Sequence, residues 1–178
     1  MATRSFKGLL RKTEGGLVVD FTYTHLDGYP SWLGKILVEH YSDLNRLKEL
    51  LSLGDTSVLY PALYPSEVEG CEKHSFDTPC DGVTIFYGRD RGEDNVNMKT
   101  LTWKEFLDTA KESGAEFLYV AVPDPYDSSK VLWYVIPTYD IEETYPNRDS
   151  KTFNLRAYMT YRLTKKRIYI EPIPVETL

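Results

Sequence analysis

A chain of 178 residues with 42% hydrophobic and 27% charged residues has the size and balance of one globular domain, long enough to bury a core without metal or disulfide staples. Its apolar runs, such as 117–123 and 131–137, fall far short of the ~20 residues that span a bilayer, and its first residues lack the apolar stretch of a secretory leader, so no membrane association is expected. The net charge is −6, and residues 151–178 carry six basic and two acidic side chains, which leaves −10 on the rest. An acidic body argues against nucleic acid as a partner and suits a protein with a basic face.

Taken in chain order, Arg4 to Arg11 and Leu17 to Thr24 predict a hairpin about the turn Lys12-Thr13-Glu14-Gly15-Gly16, where glycine tolerates positive φ. His25-Leu26-Asp27-Gly28-Tyr29-Pro30 is a cluster of turn formers. A helix follows, capped by Ser31, with Trp32, Leu33, Ile36, Leu37 and Tyr41 on its buried face. A second starts at Ser42-Asp43, carries Leu44, Leu47, Leu50 and Leu51, and stops at Gly54. Residues 55–79 read as an irregular surface segment that packs through Tyr60, Leu63 and Tyr64. Val83 to Tyr87 predicts a strand and residues 88–95 a charged loop. Thr102-Trp103-Lys104-Glu105 is a capping box that opens a third helix, ending at Ser113-Gly114. Phe117 to Val122 and Val131 to Ile136 carry apolar residues on both faces, as central strands do.

The last segment predicts a hairpin over 153–171, with Lys165, Lys166 and Arg167 at its turn and Pro172 and Pro174 closing the edge. The expectation is therefore an α+β fold in a single domain. It has a mainly antiparallel sheet of about seven strands and about three helices. Residues 1–150 form the core, and 151–178 a hairpin extension that could pair with the acidic body of a second copy to make a homodimer.

No phosphate loop, dinucleotide fingerprint, His-Glu-x-x-His or Gly-x-Ser-x-Gly is present. Three polar clusters remain. His25, Asp27 and Tyr29 follow a strand end, where His25 and Asp27 could form an oriented base or the group could simply be a turn. Arg89 and Arg91, between glycines after a strand, could grip phosphate or carboxylate, or pair with their acidic neighbours in solvent. In the cluster Cys71, His74, Asp77 and Cys80, the pattern Cys-x2-His-x5-Cys offers three zinc-type ligands, with His25 or His40 as a possible fourth, at a spacing that fits no common finger. Stoichiometric zinc is not expected, and neither is any other cofactor. Two cysteines are too few for a disulfide framework, so the expected compartment is a reducing cytoplasm without a Cys71–Cys80 bond.

The opening Met1-Ala2-Thr3-Arg4-Ser5, the run Tyr23-Thr24-His25-Leu26-Asp27-Gly28-Tyr29-Pro30, Gly34-Lys35-Ile36-Leu37 with His40-Tyr41, and Leu53-Gly54-Asp55 resemble a family of small bacteriophage and prophage proteins. Residues 115–120 and 132–135 are similar to its later part, so the likeness covers scattered blocks of 1–136. Leu26 stands where such proteins usually carry Trp. The resemblance implies a phage origin, a place in the host cytoplasm and an accessory role during infection. The expected function is that of a binding protein that inhibits a host enzyme or antiviral defence factor. The alternative is a small nucleotide-binding or nucleotide-hydrolysing protein, with His25 and Asp27 facing Arg89 and Arg91.

Overall fold

In the computed structural model, residues 2–139, 141, 160–175 and 178 are described. The chain opens with β1 (Ser5–Thr13) and β2 (Gly16–Leu26), antiparallel about a turn in which Gly16 takes φ 117°. A π-helical turn (Pro30–Gly34) runs into α1 (Lys35–His40), and α2 (Leu44–Ser52) follows. Then come β3 (Thr56–Val58), β4 (Ile85–Phe86), α3 (Tyr87–Arg91), β5 (Lys99–Thr102) and α4 (Trp103–Ser113). The chain closes with β6 (Phe117–Asp124), β7 (Asp127–Pro137), β8 (Tyr161–Leu163) and β9 (Ile168–Ile170).

The fold is α+β, one compact domain around an open sheet in the order β4-β3-β2-β1-β6-β7-β8-β9, with β5 also on β2. Pairing is antiparallel except at β1–β6 and β2–β3. Both faces are covered. Leu33, Ile36 and Leu37 of the first helical stretch and Leu47, Leu50 and Leu51 of α2 pack on Leu9, Tyr119, Ala121 and Trp133. Trp103, Phe106 and Leu107 of α4 pack on the other face against Phe6, Leu10, Phe21, Leu118 and Val120. Residues 118–122 of β6 thus enter opposite cores in alternation, which is why that run carries no charged residue.

Helix ends follow local chemistry. Asp43 caps α2 by accepting from Arg46 N–H, and Thr102 caps α4 by accepting from Glu105 N–H. Gly54 and Gly114 both adopt positive φ just beyond their helices. The first helix differs from expectation. Ser31 lies inside the turn, the carbonyl of Tyr29 takes the N–H groups of Trp32 and Leu33, and Trp32 faces outward. Residues 88–95, expected as loop, begin with the short helix α3.

The C-terminal hairpin exists over its described residues, with the turn at Thr164–Arg167 closed by Thr164 N–H on the carbonyl of Arg167. The expected strand over 153–159 and the boundary at 150/151 lie outside the described residues. No described helix is long and apolar enough to cross a membrane.

Candidate functional site

The turn after β2 is tied down from two sides. Gly28 donates its N–H to the carbonyl of Thr3 and accepts at its own carbonyl from the Tyr119 hydroxyl. A Cβ at residue 28 would lie 2.3 Å from Thr3 O, so only glycine fits this approach. On this fixed base stand three large apolar side chains in the open, Leu26 at 39%, Tyr29 at 50% and Trp32 at 38% exposure. Tyr29 leans on Phe117 and Trp32 sets its ring edge to Tyr60, with centroids 6.0 Å apart in each case.

His25 is oriented by Tyr23. The phenol, which burial pushes up to about 12 with Tyr87 and Asp55 assisting and Arg4 opposing, stays protonated and lies 2.7 Å from Nδ1. With the phenol as donor the imidazole keeps its proton on Nε2. Asp27 makes no described contact with His25. Its charge acts instead on the Tyr119 phenol, whose pKa is raised mainly by burial.

The two arginines part company. Arg89 lies over the Phe86 ring and donates to the carbonyls of Leu63 (2.6 Å) and Thr84 (2.9 Å) and, through Nε (2.9 Å) and Nη2, to the Asp90 carboxylate. Asp90 in turn accepts from Phe86 N–H. Arg89 therefore clasps the 63–84 loop to α3. Arg91 is exposed and lies over Phe76, 4.5 Å from the centroid, and Phe76 packs against Tyr87. Val58 pairs with Leu26 and with Ile85, and Thr56 pairs with Thr24 and with Phe86, so the chain leaves β4 running away from the end of β2 where His25 stands.

Cys71 and Cys80 are joined in a disulfide, contrary to the sequence expectation. The intervening segment folds back on itself, with Ser75 N–H bonded to the Thr78 carbonyl, which returns the two cysteines to a Cα separation of 5.9 Å. The donor atoms of Cys71, His74 and Cys80 lie within 4.8 Å of one another, but the sulfurs are bonded together. His74 is also committed. Nδ1 accepts from Cys80 N–H, and Nε2 faces the Thr84 carbonyl at 3.1 Å and the Asp90 carboxylate at 3.3 Å. Asp77 is exposed and outside this group.

Thiol titration of the native protein without reductant should accordingly find no free thiol. Cys71→Ser should cost about 2–3 kcal/mol, the loop-closure entropy of a ring of this size. Two titratable thiols in the purified native protein would remove the bond from the folded state.

The most unusual polar group is one that no sequence pattern marks. Lys7 of β1 is fully buried, and its Nζ donates to Thr24 Oγ1 (2.8 Å), Thr56 Oγ1 (3.0 Å) and the Tyr23 carbonyl (3.2 Å). Burial pushes the ammonium down to about 7, against the pull of Asp55. Asp55 fills the gap between β5 and β3 along β2, where its Oδ1 accepts from Tyr23 N–H. Burial raises its carboxyl, opposed by that N–H and by Lys7. Nearby on the same two strands Ser5 Oγ and Thr22 Oγ1 are buried without a partner among the described residues.

Comparison with family models, with curated proteins and with solved structures finds no match for this chain.

Proposed function

We propose that this chain is a phage accessory protein that acts by contact with a host protein, blocking an enzyme or an antiviral defence factor. The observation that carries the reading is the turn at 26–32. Tyr and Trp dominate the energetics of protein interfaces because they bury a large area at a small entropic cost. Here Leu26, Tyr29 and Trp32 stand exposed within seven residues, on backbone held by Thr3 and Tyr119, so little freedom is left to lose on docking.

The alternative reading, a nucleotide site using His25 and Asp27 with Arg89 and Arg91, is less well supported. It needs free guanidinium donors opposite His25, and Arg89 spends its donors on Leu63, Thr84 and Asp90. Asp27 is also not in contact with His25.

The test compares the full chain with Tyr29→Ala/Trp32→Ala as immobilised bait for host lysate. The expected result is one host protein retained in stoichiometric amount by the first and lost from the second, each truncation costing about 2 kcal/mol or more of binding. The double variant should keep the unfolding midpoint, since both side chains are exposed. Equal retention by both baits, or no retained protein, defeats the proposal.

A further inference from the structure

Six of the 21 Lys and Arg residues of this acidic chain line one crevice. It runs along α1 between that helix, the start of β7 and the β8–β9 hairpin. Two connected hollows make it up, about 180 Å³ and about 440 Å³, which share Val38, Glu39, Leu163, Thr164 and Lys165. The walls hold Lys35, Lys130, Arg162, Lys165, Lys166 and Arg167 against two acids, Glu39 and Asp43. That is +4 on a chain of net −6.

The acids do little to neutralise these cations. Asp43 Oδ1 accepts from Arg46 N–H as the cap of α2, and the other carboxylate oxygen stands 3.9 Å from Lys130. Arg162 is 3.7 Å from Glu171, and Arg167 lies over Tyr169. Lys35, Lys165 and Lys166 have no ion-pair partner among the described residues. The hairpin that supplies four of the six cations is seated by packing. Leu163 is buried, and a Cβ added at Gly34 would lie 3.2 Å from its Cδ1.

Six cations in a concave wall at low screening attract a compact polyanion far more than a single charge. The larger hollow has the size of a small-molecule site. We propose that this crevice binds a phosphate-chain ligand, of the di- or triphosphate class that nucleotides carry. The ammonium groups of Lys35, Lys165 and Lys166 and the guanidinium of Arg162 hold the phosphate oxygens.

The experiment titrates the full chain with inorganic tripolyphosphate and with ATP by calorimetry at low salt. Lys35→Glu/Lys165→Glu is compared with Lys12→Glu/Lys73→Glu, which changes net charge equally away from the crevice. All four lysines are exposed, and thermal unfolding checks that each variant folds. Expected are saturable one-to-one binding, a loss of about tenfold or more in the crevice variant, and about twofold or less in the control. ATP binding as tripolyphosphate does assigns the phosphate chain alone, and tighter ATP binding adds the nucleoside to the ligand. No saturable binding of either probe, or an equal loss in both variants, overturns the proposal.

Discussion

Lys7→Met is expected to raise the thermal midpoint at pH 6, and the gain should fade as pH rises towards 10. Lys7 is held near pKa 7 by burial, while in the unfolded chain it titrates near about 10.4. Below 7 both states hold the proton, and the folded state bears the full cost of a buried ammonium, on the order of 4 kcal/mol. Between 7 and 10 the unfolded chain binds the proton that the folded chain has released, so stability climbs with pH. Above about 10 the trend reverses. Burial raises the phenols of Tyr23, Tyr41, Tyr119 and Tyr134, and the unfolded chain gives up those protons first.

The methionine variant strips out only the lysine's share. Thr24 and Thr56 remain bonded to each other at 3.0 Å, and Asp55 keeps Tyr23 N–H, so no new orphan is made on the threonines. Denaturant unfolding of both proteins from pH 5 to 10 measures the difference. A constant gap across that range shows that Lys7 does not titrate in the folded protein near neutrality.

Arg89→Ala should be the most damaging single surface-accessible change, lowering stability by about 3 kcal/mol. The Leu63 carbonyl loses its guanidinium donor, the Thr84 carbonyl keeps only His74, and Asp90, with a side chain 4% exposed, loses its strongest cation. In a domain of this length that is a fall in midpoint of about 10 °C. Arg89→Lys should recover less than half, because one ammonium cannot span two carbonyls and a carboxylate as a planar fork does. A midpoint unchanged by Arg89→Ala would release the guanidinium from its structural duty and return it to the candidates for ligand contact.

The helices that carry their own punctuation were readable from sequence. Thr102 with Glu105, and Gly114 after Ser113, fix α4 by local hydrogen bonds that need no tertiary partner. The paired central strands were readable because burial on both faces leaves an unbroken apolar run. Three elements were not. β3 and β5 are three and four residues long, too short for a period to register. α3 has no buried residue and exists because Asp90 accepts from Phe86 N–H while Arg89 reaches back to Leu63 and Thr84.

The site residues divide on the same ground. His25, Asp27, Tyr29 and Arg91 were visible as polar or aromatic residues at chain reversals. Lys7 was hidden, because a lysine alternating with Phe6 reads as the wet face of a strand. Only the second helical layer, laid over that face by α1 and α2, makes it dry. The crevice was half visible. The basic hairpin stood out, but its docking on Gly34, 129 positions before Leu163, joins parts of the chain that no local pattern links.

The seam between β1 and β6 sets the order in which the sheet can assemble. β1–β2 and β6–β7 are each closed by turns of a few residues, at Thr13–Gly16 and Asp124–Asp127. Ser5 and Phe117, which meet across the seam, are separated by more than a hundred residues. Closing a loop that long costs about 3 kcal/mol more chain entropy than closing a tight hairpin, and nothing refunds that cost until Phe6 and Leu118 are buried under α4. The two antiparallel halves are therefore the kinetically local pieces of the fold. The parallel join between them is the rate-setting search, and until it is made β1 and β6 each present an apolar edge to solvent.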